Sequence, residues 1–253
     1  FLFFFCYCVV TWGSSMEELI LFLFLYYYLW EHEPPGLIAP TYGITLDGLE
    51  RTLQVNHLSH LYLAKELIEK NFFSPNRRIS NTSIVILSSY LPAKHCDESF
   101  FHFSNKNEFP FFLPGAYGIA KQSSVRTGRE LEKRYNNVKV YSVHPGFAST
   151  ALGLQRGGAR IESAGAKIFW WLLSHFVRVK VMEEAASTTI YCLLTKNLEK
   201  GFYQNNKKTR WPKDEDNVID GDNEGAEQIA LKDQSCWTKS ISLIEDARKG
   251  LWK

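Results

Sequence analysis

The sequence predicts an α/β fold built on a parallel sheet, and three observations carry that prediction. "SIVILSS" (83–89) is a short β-branched run without charge, as expected of a strand covered on both faces. "VKVYSV" (138–143) is a second such run, stopped sharply by His144-Pro145-Gly146. Between them, residues 116–135 read as a helix: Ala120, Ser124, Val125 and Leu131 can face a core, while the charges Arg126, Arg129, Glu130, Lys133 and Arg134 gather late. Strand, crossover helix, strand is the βαβ unit of parallel sheets.

The remaining elements follow in order. Asp47-Gly48-Leu49-Glu50 has the spacing of a capping box and is expected to open a helix. Leu49, Leu53, Leu58, Leu61 and Leu67 then recur near helical spacing as far as Lys70. Residues 90–115 are rich in Phe and Pro, without a period, and read as loop. "EEAASTTIYCLLT" (183–195) reads as a buried helix, 205–225 as a polar loop, and 226–247 as a last helix carrying Trp237 and Leu243. No internal repeat is visible.

Composition sets further bounds. A chain of 253 residues with 45% hydrophobic and 22% charged residues can bury one sizeable core. Its net charge is +2 and its Lys and Arg are scattered, so it lacks the basic stripe of a nucleic-acid binder. Cys6, Cys8, Cys96, Cys192 and Cys236 form neither a C-x-x-C pair nor a zinc spacing, and no metal site is expected. An odd, dispersed set suits a reducing, cytoplasmic setting. Residues 1–35 stand apart from the rest. Their apolar runs "FLFFFCYCVV" and "LILFLFLYYYLW" fall short of the roughly 20 residues that a membrane helix needs. No Lys or Arg precedes Arg51, so neither a signal peptide nor an oriented span is indicated. This aromatic-rich segment, which does not open on Met, is read as part buried strand and part foreign sequence. A short membrane anchor is the alternative, and residues 36–253 form the folded domain.

Catalytic chemistry enters with "GAYGIAK" (115–121), which sets Tyr117 four positions before Lys121. The same spacing recurs at Tyr90–Lys94, Tyr135–Lys139 and Tyr203–Lys207, so spacing alone decides nothing. Tyr90 and Lys94 flank Pro92 in a loop, Tyr135 ends a helix, and Tyr203 precedes a polar turn. Tyr117 and Lys121 alone fall within a helix, where i and i+4 share a face at about 5–6 Å. An ammonium at that range favours the phenolate and lowers the tyrosine from its usual value of about 10, as a general acid–base requires near neutral pH. Ser89 ends a strand and Tyr117 starts the helix feeding the next one; in parallel sheets both positions belong to the ligand-binding edge. The plainer alternative is that Ser88 and Ser89 merely end a strand while Tyr117 packs at a helix start.

These residues resemble the short-chain dehydrogenase/reductase family, in its retinol-dehydrogenase-like branch and the oxidoreductase part of its WW-containing members. "TLDGLERTLQVNHLSHLYLAKEL" resembles that branch's asparagine helix, "IVILSS" its serine strand, "AYGIAK" its tyrosine–lysine helix, and "VYSVHPGFASTALG" its P-G-x-x-x-T segment. The likeness covers about 36–245. It implies a Rossmann-like doubly wound sheet and an NAD- or NADP-dependent interconversion of alcohol and carbonyl on an apolar small molecule. It assigns catalysis to Asn56, Ser89, Tyr117 and Lys121. Cofactor contacts fall to Asn56, Tyr117, Lys121, Pro145, Gly146 and Thr150, the last through the nicotinamide carboxamide. In the long segment before Tyr117, Phe100, Phe101, Phe103, Phe111 and Phe112 can line a substrate pocket, though loop packing explains them equally well.

One family feature is missing. The family's T-G-x-x-x-G-x-G turn, whose backbone N–H groups receive the pyrophosphate, does not occur, and the residue that selects NAD or NADP goes with it. "EPPG" (33–36) keeps only the Gly of the family's N-N-A-G turn, and "LFLFLYYYLW" is a candidate for the adjoining strand. The fold is therefore expected to look truncated at its N-terminal side, with an open sheet edge. Two readings follow: an oxidoreductase acting through Tyr117, or a catalytically silent module that docks to a protein or a membrane. No WW module is present in the sequence.

Overall fold

A computed structural model describes residues 3–5, 8–11, 42–70, 82–89, 115–135, 138–148, 155–156, 159–160, 179–180, 182–195, 197–209 and 223–250. Its centre is a six-stranded sheet in the order β1 (Phe3–Phe5), β2 (Cys8–Thr11), β3 (Thr82–Leu87), β4 (Val138–His144), β9 (Gly201–Gln204), β10 (Lys207–Thr209). Two short pairs accompany it: β5 (Phe147–Ala148) with β8 (Val179–Lys180), and β6 (Gln155–Arg156) with β7 (Ala159–Arg160). Helix α1 runs as Arg51–Leu53, a π-helical stretch Gln54–Leu58, and Ser59–Glu69. Helices α2 (Gly115–Arg134), α3 (Met182–Leu194) and α4 (Asn223–Arg248) complete the set.

The α/β, Rossmann-like class stands, and its logic is visible in β3. Alternate strand residues point to opposite faces, so each face can bury its own helices. Ile84 and Ile86 join Val138 and Val140 in a core with Leu53, Leu58, Leu61, Ala120, Leu131, Trp237 and Leu243, drawn from α1, α2 and α4. Val85 and Leu87 join Tyr141, Val143 and Tyr203 on the other face, beneath Ala186 and Cys192 of α3. β3 and β4 run parallel, from Thr82↔Val138 to Leu87↔Val143, and β4 and β9 are parallel as well.

Several details differ from the sequence expectation. The sheet is mixed: its parallel centre β3-β4-β9 is flanked by antiparallel hairpins on both sides. On the β3 side the hairpin β1–β2 occupies the edge, with Cys8 opposite Ile86 and Thr11 opposite Ser83. The strand placed there comes from "FLFFFCYCVV"; the candidate "LFLFLYYYLW" lies outside the described residues, as do Gly36 and the five loop phenylalanines. Lys207–Thr209, expected as loop, forms β10 because Asn205 and Asn206 both take the left-handed conformation (φ 52° and 60°) of a tight hairpin turn. The α1 cap is Glu50 rather than Asp47: its carboxylate accepts from the backbone N–H of Thr52 (2.9 Å) and Leu53 (2.6 Å), and Asp47 instead accepts from the Gln54 side chain. Arg126 and Glu130 are buried rather than solvated, because α4 covers that side of α2.

Candidate active site

The carboxyl ends of β3 and β4 and the start of α2 meet at one edge. At β3 the backbone N–H of Ser88 donates to the Val143 carbonyl (2.7 Å), which extends strand pairing one step past Leu87. The Ser88 hydroxyl donates to the Lys121 carbonyl (3.2 Å), and the Lys121 ammonium donates to the Leu87 carbonyl (2.9 Å). Two reciprocal bonds thus tie the strand end to the first turns of α2. Lys121 is wholly buried, and its Nζ stands 5.5 Å from the centre of the Tyr117 ring, within cation–π range. Tyr117 itself is partly exposed at the rim, whereas Ser89 is buried. Of the three tyrosine–lysine spacings among the described residues, only this one shares a helix: Tyr135 and Lys139 fall on α2's end and β4, and Tyr203 and Lys207 lie on opposite strands of the β9–β10 hairpin. Tyr90 and Lys94 lie outside the described residues.

Asn56 reaches the same region from α1. It lies in the π-helical stretch, where Ser59 satisfies the Gln54 carbonyl twice, through its N–H and through its hydroxyl (2.7 Å). Such stretches are rare and recur at functional sites because one extra residue re-aims a side chain. Asn56 is 1% exposed, and its carbonyl lies 3.4 Å from the Ser124 hydroxyl, one turn beyond Lys121 on α2. Pro145 and Gly146 follow β4 directly. Gly146 has φ +89°, a left-handed conformation that favours glycine, and the Lys180 side chain packs over it, 3.0 Å from where a Cβ would stand. Thr150 lies outside the described residues. The structure therefore brings Asn56, Tyr117 and Lys121 onto two packed helices, with Ser89, Pro145 and Gly146 at the adjoining strand ends.

Electrostatically the site is cationic, and its two histidines are buried. Burial pushes His60 down to about 4, aided by the nearby Lys121 charge. His144 is likewise pushed down to about 4, by burial and then by the Lys180 and Lys121 charges, against a hydrogen bond with the Ser88 backbone that works the other way. Both imidazoles are neutral near pH 7, which leaves the ammonium as the charge beside the phenol. The sequence reading missed Ser88 as a strut, His144 as a link to it, and the carbonyl of Leu87. Main-chain partners leave no mark in a residue pattern, although "VHPG" placed His144 at the right edge.

The donor set fits the nicotinamide riboside end of a dinucleotide. An ammonium, a phenol and hydroxyls are groups able to pair with the ribose hydroxyls and carboxamide that such a group presents. A phosphate-binding glycine-rich turn is not in the sequence.

Comparison with known proteins gives concordant relatives. The chain is 33% identical over 167 residues to human retinol dehydrogenase 11, covering 65% of this chain and 47% of that protein. It is 33% identical over 180 residues to human retinol dehydrogenase 12, covering 70% and 52% respectively. It is 32% identical over 185 residues to the WW domain-containing oxidoreductase of Drosophila melanogaster, covering 68% and 40%. The chain thus spans about half the length of the curated relatives it matches. No family model matches.

Proposed function

Because the chain belongs to the short-chain dehydrogenase/reductase family, we propose that it serves an NAD(P)-dependent oxidoreductase acting on CH–OH groups, with Tyr117 as the general acid–base. The observation that carries this reading is the buried Lys121 ammonium, held by the Leu87 carbonyl beside the Tyr117 ring at the ligand edge of the sheet. When bound, the nicotinamide supplies or accepts the hydride at the carbonyl carbon; the residues of the chain handle the proton. In reduction, Tyr117 gives its phenolic proton to the carbonyl oxygen as that oxygen gains charge, and the phenolate left behind is stabilised by the ammonium. Ser89 orients the carbonyl oxygen. Lys121 also holds the ribose, Asn56 anchors a water that returns the proton to Tyr117, and Pro145, Gly146 and Thr150 support the nicotinamide. The substrate is an apolar alcohol or aldehyde. Retinol and retinaldehyde are the first pair to test, since two of the relatives are retinol dehydrogenases.

The test is turnover of reduced nicotinamide with an apolar aldehyde by the purified chain. Tyr117→Phe is expected to lower kcat by a factor of about 100 or more while leaving the circular dichroism spectrum intact. Unchanged turnover in that variant would remove Tyr117 from the chemistry. A second reading is a catalytically silent docking module, which would lack the phosphate contacts that a glycine-rich turn supplies. Charge-assisted phosphate contacts are each worth about 1.5–3 kcal/mol, so their loss weakens cofactor affinity steeply. Failure of NADH and NADPH to bind, followed by their fluorescence, selects that reading. Among the described residues no helix is long and apolar enough to cross a membrane.

A further inference from the structure

The residue after Asn56 is an imidazole with a hydroxyl at each end. His57 is 1% exposed; its Nδ1 lies 3.2 Å from the Ser124 hydroxyl of α2, and its Nε2 lies 2.8 Å from the Ser240 hydroxyl of α4. We propose that His57 is a positioning residue, a clamp that holds the π-helical stretch carrying Asn56 between α2 and α4. It rests on the oxidoreductase reading for its effect on turnover, and on geometry alone for its existence.

The direction of each bond can be assigned. The one proton of Ser124 is assigned to the Ala120 carbonyl at 2.9 Å, nearer than His57 Nδ1 at 3.2 Å or the Asn56 carbonyl at 3.4 Å. The Ser124 oxygen therefore accepts from His57, which must carry its proton on Nδ1. Burial, with His60 alongside, pushes His57 down to about 3, so the ring is neutral and its Nε2 is an acceptor. Ser240 must then donate. The result is a one-way chain from Ser240 through His57 and Ser124 to the Ala120 carbonyl, one residue before Lys121. It links the Asn56 stretch to the helix that carries the tyrosine–lysine pair.

Two features separate this clamp from ordinary core packing. Helix α4 is fixed to α2 independently, by the paired Arg129–Asp233 bonds (2.6 and 2.7 Å) and by Arg134 over the Trp237 ring at 4.9 Å. Removing the Ser240 hydroxyl thus cuts the clamp without undocking the helix. Beside the ring, a cavity of about 20 Å³ is bordered by His57, His60, Ile86, Ser124, Thr127 and Leu131, large enough to admit a water to the ring once the bond is cut.

The experiment uses the full chain, with Ser240→Ala as the cut and Asp233→Asn as a control that weakens α4 docking elsewhere. Nitrogen-15 NMR is expected to find His57 neutral and protonated on Nδ1. Hydrogen exchange over residues 54–58 is expected to quicken about 10-fold in S240A and to stay unchanged in D233N, as the loss of one buried hydrogen bond implies. An Nε2-protonated ring, or unaltered exchange over 54–58 in S240A, overturns the clamp. In turnover, S240A is expected to lower kcat about 10-fold with the KM for the aldehyde unchanged. Faster exchange with unaltered kcat overturns the positioning role. If the wild-type chain and Tyr117→Phe are equally silent, the oxidoreductase reading fails by itself, while the tautomer and the exchange still decide the clamp.

Discussion

Lys121 shows how much one side chain does at this site. Its Nζ has three protons to place and no solvent, and its bond to the Leu87 carbonyl fixes the charge in position beside Tyr117. Lys121→Met keeps the length of the stem and removes the charge. That variant is expected to lose about 100-fold in turnover, measured as reduced-nicotinamide consumption, while still folding. The pair was legible in the sequence because a helix repeats locally, so four residues of spacing translate directly into one face. The partners of His57 were not. Ser124 and Ser240 lie 67 and 183 residues away, and only the packing of α2 and α4 around the ring brings them there. Arg126 escaped for the same reason: a charge late in a helix reads as solvated until a remote segment covers it.

At the scale of elements, start and stop chemistry decided what could be anticipated. The apolar stripes of α1 and α2 placed both helices correctly, since Leu53, Leu58, Leu61, Ala120 and Leu131 are all buried. The cap was misassigned because Asp47 and Glu50 both suit an N-terminus, and the intervening turn chooses between them. Thr45 and Gly48 close that turn (3.0 Å), with Gly48 at φ 79°, and the bridge between Ile44 and Glu50 sets Glu50 at the helix mouth. Both oxygens of Glu50 accept backbone N–H bonds. Glu50→Ala is expected to cost about 1–2 kcal/mol in urea unfolding without changing the slope of the transition. The π-helical stretch was invisible in advance. Its residues have ordinary helix propensities, and its stabilising contacts, from the Ser59 hydroxyl to the Gln54 carbonyl and from His57 to two helices, are tertiary or side chain to main chain.

Across the whole molecule, three buried imidazoles tie stability to pH. His57 is held near 3 and His60 and His144 near 4, all by burial first, against an ordinary value near 6.5. Below about pH 6.5 the unfolded chain takes up protons that the folded protein refuses. Stability is therefore full above that point and falls on acidification, by about 1.4 kcal/mol per pH unit for each histidine. Glu50 and Asp233 oppose this at lower pH, because burial raises both carboxyls and the folded state then binds their protons more readily. The steepest loss is expected between about pH 6.5 and 5, read from urea midpoints across that window. The alternating faces of β3 made the layered architecture legible, whereas the mixed sheet was not, because strand direction depends on connections rather than on composition. That direction has a further bearing. β2 runs against β3, so Thr11 lies opposite Ser83 at the foot of the sheet, far from the rim where Leu87, Tyr117 and Gly146 gather. The backbone amides at the end of β2 thus sit at the opposite pole from the rim, where a diphosphate beside Tyr117 would need its cradle.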